Sequence, residues 1–116
     1  MIQLVLLLDG IQDAGNVGAI IRAADGCGAT GVITADGTAD PFGWKALRGA
    51  MGSTFRVPVV ERVPVGIAID AARSAGLVTV AAVPADGESL YACDLAGSVM
   101  LLMGGEGPGL DASTVA

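Results

Sequence analysis

Five short runs of apolar residues punctuate the chain: QLVLLL at 3–8, GVIT at 31–34, RVPVV at 56–60, LVTVAAV at 77–83 and SVMLLM at 98–103. Their apolar residues are consecutive rather than alternating, so both faces of each run need cover; parallel strands sandwiched between helices have this pattern. Val17, Ile20, Ile21 and Ala24 follow the i, i+3, i+4, i+7 spacing of a helix, and so do Val65, Ala68, Ile69 and Ala72. Strand and helix in alternation predict an α/β domain, a mostly parallel sheet with helices on both faces. Asp13 or Asn16 is placed to cap the first helix and Gly26 and Gly28 to end it; Pro64 suits the first turn of the second, which Gly76 closes.

The 116 residues fit one domain, and with 53% hydrophobic and 16% charged residues the chain has the composition of a packed core, not of a disordered segment. Net charge is −6, which taken alone argues against a nucleic-acid partner. Four of the six basic residues, Lys45, Arg48, Arg56 and Arg62, do fall within 18 positions, either a solvated face or a local electrostatic feature. There is no histidine, and Cys27 and Cys93 lie far apart, so neither a zinc site nor a disulfide framework has its ligands and no metal is expected. Both cysteines are expected to be small buried or half-buried residues in a reducing compartment. The N-terminal MIQLVLLLDG has no basic stretch and too short an apolar run for a signal peptide or a membrane span, which points to the cytoplasm.

GCGATG at 26–31 matches the G-x-G-x-x-G pattern literally but closes a helix and opens a strand, the reverse of a dinucleotide fingerprint, so it reads as turn chemistry. GNVG at 15–18 follows a strand, unlike the clamp that joins two helices in some RNA-binding modules. The cluster Gly104, Gly105, Gly107 and Gly109 around Glu106 is more informative. It directly follows a buried strand, where ligands bind in open α/β sheets and glycines let backbone approach them. Arg22 sits about 150° from the centre of its helix's apolar stripe by the 3.6-residue period, so it faces away from the core. On pattern alone it is a solubilising residue and Asn16 a cap.

Three blocks in order, LLLDGIQDAGNVGAIIRAADGCGATGVI, LRGAMGSTFRVPVV and AAVPADGESLYACDLAGSVMLLMGGEGPGL, resemble the signature regions of the SpoU-like RNA 2'-O-ribose methyltransferases, which belong to the SPOUT class with its trefoil-knotted α/β fold. The resemblance covers nearly the whole chain. It rests most on the D-x-x-N-x-G-x-x-x-R form, here Asp13, Asn16, Gly18 and Arg22, followed by G-x-E-G-x-G at 104–109.

The resemblance implies S-adenosylmethionine as cofactor, rRNA or tRNA as substrate and an active site formed in a homodimer. It makes Arg22 the catalytic arginine, assigns Asn16 to positioning it or the substrate, and gives Glu106 with Gly104, Gly105, Gly107 and Gly109 to the cofactor pocket. Val83, Pro84 and Gly87 would lie along the cofactor. The reaction moves a methyl group to a ribose hydroxyl, whose oxygen must be held in line and relieved of its proton. Arginine keeps its proton at neutral pH, having a pKa above about 12. Arg22 is therefore either a base in an environment that destabilises its cation, or an electrostatic partner of a substrate phosphate and the developing alkoxide.

Two departures stand out. Ala50 in RGAMGS occupies a position where the family often has serine, a change expected to bear on RNA contacts. The family's third signature, an apolar strand ending in an Ile-Pro-Met-like loop before a Ser-Leu-Asn-type helix, is expected after Leu110, and residues 111–116 do not carry it. The expectation is then a SPOUT-like domain, C-terminally incomplete and unknotted, that binds S-adenosylmethionine weakly or not at all. Its last strand, 98–103, would lack a neighbour and leave an open edge. A catalytically inactive remnant serving as a dimerisation or RNA-protein binding module is the main alternative; an unrelated nucleotide-binding domain built on GGEGPG is a second.

Overall fold

A computed structural model describes residues 3–82 and 97–104. In chain order the elements are β1 (Leu4–Asp9), α1 (Ala14–Gly26), β2 (Gly31–Ala35), α2 (Trp44–Ala50), a 3-10 turn (Ser53–Phe55), β3 (Val59–Val63), α3 (Val65–Ser74), β4 (Val78–Ala82) and β5 (Val99–Gly104). The five strands form one sheet in the order β3-β2-β1-β5-β4, parallel at every pairing.

The alternation of side chains along β1 divides the core into two layers. Leu6 and Leu8 point to one face and pack with Val17, Ile21 and Ala24 of α1 and Ala46 and Ala50 of α2. Leu7 points to the other face and meets Ala68, Ile69 and Ala72 of α3. Leu7 and Leu8 are completely buried, each side chain contributing about 1.5–3 kcal/mol relative to exposure. The consecutive apolar run of β1 thus has helices on both sides, as its pattern predicts.

α1 begins at Asp13, whose Oδ1 accepts from the Asn16 backbone N–H at 3.2 Å, so Asp13 and not Asn16 is the cap. GCGATG is the turn expected: α1 ends at Gly26, Gly28 takes φ +78°, and Gly31 opens β2. Pro64 caps α3 from just outside its first turn, and Gly76 follows it at φ +87°.

Several expectations need correction. The strand expected at 56–60 runs from Val59 to Val63, because the 3-10 turn takes residues 53–55 and Pro58 has no N–H for a ladder. It is an edge strand, with Val60 exposed, so its valines are not covered on both faces. β5 is not an edge. It lies between β1 and β4, paired along Leu4–Asp9 on one side and Val78–Ala82 on the other. Cys27 is exposed, since it caps the C-terminus of α1 and its side chain leaves the core there. Cys93 lies outside the described residues. α2 has no counterpart in the periodicity: only Ala46 and Ala50 mark its buried side, too few apolar positions for a stripe.

Candidate functional site at the carboxyl edge of the sheet

β1, β5 and β4 end side by side. Asp9 is opposite Gly104, and Met103 is opposite Ala82. At this edge β1 leads into α1, which packs on one face of the sheet, while α3 packs on the other. The carboxyl ends of parallel strands are where open α/β folds bind ligands.

A cleft of about 410 Å³ lies there, lined among the described residues by Gly10, Ile11, Gln12, Asp13 and Asn16. Its loop is held by the segment after β2. Thr38 donates its hydroxyl to the Leu8 carbonyl and accepts from the Gly10 N–H, both at 3.0 Å, and the Ala39 N–H donates to Ile11 at 2.8 Å. Gly10 itself adopts φ +73°, a conformation that a Cβ would strain, and the space beside it is open. With the cap made by Asp13, the exposed Asn16 amide is left at the mouth of the cleft.

Gly18 explains another position of the motif. A Cβ there would collide with the Ala46 carbonyl oxygen and come within 2.9 Å of the Ala50 nitrogen and 3.0 Å of the Gly49 carbonyl carbon. α1 and α2 therefore touch backbone to backbone. Ala50 is fully buried in this contact, which corrects the expectation that its departure from serine bears on RNA: it faces helix packing.

Arg22 is exposed, four residues beyond Gly18 on the same flank of α1. Nine residues separate it from Asp13, about 13 Å along the axis. It makes no hydrogen bond or ion pair among the described residues. One turn further, Asp25 accepts from Arg56 Nε at 2.7 Å and from Ser53 Oγ at 2.9 Å, tying α1 to the 3-10 turn. The Arg56 guanidinium, seconded by the Ser53 hydroxyl, holds the Asp25 carboxyl below its usual value. Asn16 thus lies at the cleft and Arg22 well away from it, about 9 Å further along the helix and about 120° around it.

Of the other expected site residues, Gly104 closes β5 beside Asp9. Val83, Pro84, Gly87, Gly105, Glu106, Gly107 and Gly109 lie outside the described residues, as does the chain beyond Leu110 on which the knot expectation turns. GNVG forms the first turns of α1. Among the described residues no three His, Cys, Asp or Glu are grouped to hold a metal ion.

The model of the SpoU rRNA methylase family matches residues 3–116. This chain belongs to that family. Among curated SpoU-family relatives, a Bacillus subtilis protein named 23S rRNA (guanosine(2553)-2'-O)-methyltransferase RlmP is 39% identical over 94% of this chain and 44% of its own length. The Burkholderia 23S rRNA (guanosine-2'-O-)-methyltransferase RlmB is 35% identical over 92% of this chain and 43% of its own. Among solved structures, an AdoMet-bound rRNA methyltransferase from Sinorhizobium meliloti superposes with a TM-score of 0.86 at 37% identity, covering 96% of this chain and 42% of that one. The SpoU methyltransferase AviRb from Streptomyces viridochromogenes, in complex with AdoMet, gives 0.86 at 34% identity, covering 97% and 44%. The chain spans less than half the length of these relatives. Within the SpoU motif, then, Asp13 starts the helix, Gly18 lets α2 approach, and Arg22 emerges on the flank they create. Gln12 lines the cleft as well and Thr38 holds its loop; nothing in the sequence marks a threonine after one strand as the clip of another strand's loop.

Proposed function

We propose that this chain carries the catalytic face of an S-adenosylmethionine-dependent RNA 2'-O-ribose methyltransferase acting on rRNA or tRNA in the cytoplasm. The observation that carries the proposal is the cleft beyond the carboxyl end of β1, in a fold shared with AdoMet-bound SpoU structures. About 410 Å³ is within the range of small-molecule sites. Its described lining suits a cationic, hydroxyl-rich ligand: the Asp13 carboxylate, the amides of Gln12 and Asn16, and backbone at Gly10 that a ligand can approach without meeting a Cβ. When bound, S-adenosylmethionine supplies a methyl carbon made electrophilic by its sulfonium.

The residues of the chain do the rest. Asn16 sits where it can orient a ribose hydroxyl at the mouth of the cleft. Arg22 provides a cation free of partners among the described residues, able to hold a phosphate and stabilise oxygen as its proton leaves. Being about 13 Å from the start of its own helix, Arg22 serves the cleft of a second copy, so the active unit is a homodimer. Incubation with methyl-tritiated S-adenosylmethionine and rRNA is the direct test. Label in alkali-resistant dinucleotides is expected, since a 2'-O-methyl group blocks alkaline cleavage. Label on bases would refute the reaction, and RNA binding without label would favour the inactive binding module.

A further inference from the structure

All three aromatic residues among the described positions are exposed, and all lie within 14 residues: Phe42 at 44% exposure, Trp44 at 67% and Phe55 at 84%. Aromatic side chains normally fill cores, so the exposure of all three within one short stretch is unusual. Trp44 and Arg48 follow i, i+4 spacing on the side of α2 opposite Ala46 and Ala50, and Met51, the left-handed residue that caps the helix end, is 64% exposed. The Lys45 ammonium lies 5.6 Å from the centroid of the Trp44 ring. No Asp or Glu occurs between Asp40 and Glu61, while Lys45 and Arg48 do; Arg56, in the same stretch, is paired with Asp25. A chain of net charge −6 therefore has a positive stretch where its exposed rings are.

Resting on the RNA reading above, we infer that the outer face of α2 is a stacking platform for unpaired bases of the substrate RNA, with Trp44 as its principal ring and Lys45 and Arg48 holding the backbone beside it. Single-stranded RNA is recognised by this combination, rings for base faces and cations for phosphates. The platform follows directly in the chain on the segment that holds the loop of the cleft. The segment that enters α2 is the one whose Thr38 and Ala39 bind the Leu8–Ile11 backbone, so Phe42 and Trp44 start from the same carboxyl edge. Arg22 lies on α1 between Gly18, which contacts α2, and Asp25, which contacts the 3-10 turn. A second copy of the chain is the poorer occupant, because a two-fold interface through this face would oppose Lys45 and Arg48 to their own copies with no carboxylate from 41 to 60 to pair them.

Trp44 is the only tryptophan, so its fluorescence reports on this face alone. Titration of the chain with a short unpaired oligoribonucleotide and with a fully paired duplex of the same length tests the platform. Quenching by the single strand, stronger than by the duplex, is expected, with Trp44→Ala weakening single-strand binding by roughly tenfold or more and Trp44→Phe restoring much of it. Far-UV circular dichroism and melting temperature should stay as in the parent, since the ring is exposed. Single-strand binding with unchanged Trp44 emission and unchanged affinity in Trp44→Ala would overturn the platform while leaving RNA as substrate. Absence of binding to either RNA at low salt would overturn both. Loss of dimer in Trp44→Ala at unchanged RNA affinity would overturn the platform and give the face to a second copy.

Discussion

Arg22 shows how little a residue's sequence neighbourhood says about its task. Its position on the helix marks it as outward-facing, and the structure bears this out, yet an exposed arginine on a helix is ordinarily a solubilising group. What distinguishes it is the company of Asp13, a cap candidate already in the sequence, and of Gly18, whose packing role can be seen only once α2 is in place. If it stabilises the reacting oxygen, Arg22→Ala should abolish methyl transfer while changing stability by no more than about 0.5 kcal/mol; a variant with near-normal turnover would remove it from the mechanism. Asp25 makes a different prediction. Its carboxyl is held below the usual value of 3.8 by Arg56 and then by Ser53, so the pair stabilises the fold above the unfolded carboxylate range and is lost as pH falls through the lowered folded value. Carboxyl-detected NMR should show Asp25 titrating near its ordinary value in Arg56→Gln, and the stability difference between parent and variant should vanish in acid. A difference that persists there would mean that the arginine acts through packing.

At the scale of elements, β1, β2, β4, β5, α1 and α3 were legible because each has a periodicity that burial imposes. α2 was not, since a seven-residue helix packed through Gly18 and Gly49 shows small residues where a stripe would show large ones. β3 was displaced by three residues because Val57 and Pro58 look like strand while the backbone is still leaving the 3-10 turn. The close α1–α2 contact can be tested through paired glycine substitutions. Gly18→Ala should destabilise by about 1–3 kcal/mol, as overpacking against backbone does, despite the helix preference for alanine. Gly66→Ala in α3, where no atom lies within 4 Å of the added methyl, should instead stabilise by up to about 1 kcal/mol. Urea denaturation of both reads the contrast; equal effects would show that α1 and α2 have room to part.

For the whole molecule, strand number and parallel direction could be read from the sequence but strand order could not. The chain crosses from β3 at one edge to β4 at the other, then returns to insert β5 beside β1, a path that local pattern does not encode. That insertion brings Asp9 and Gly104 together and makes residues 95 positions apart in sequence neighbours at one edge. Under the proposed function, Asn16 serves the cleft of its own chain and Arg22 that of a second copy. Mixed dimers of Asn16→Ala and Arg22→Ala chains should accordingly regain part of the methyl transfer that each variant lacks alone, because one of their two sites holds both native residues. No recovery on mixing would place Arg22 at its own chain's cleft. Cofactor binding at this carboxyl edge is tested most directly by an NMR titration of backbone amides with S-adenosylhomocysteine in large excess, which detects even weak occupancy. Saturable shifts are expected at Gly10, Ile11, Asp13, Asn16 and Gly104, with the amino ends of the strands unmoved; shifts centred on the Gly28–Gly31 turn or on α3, or none at any position, would contradict binding there.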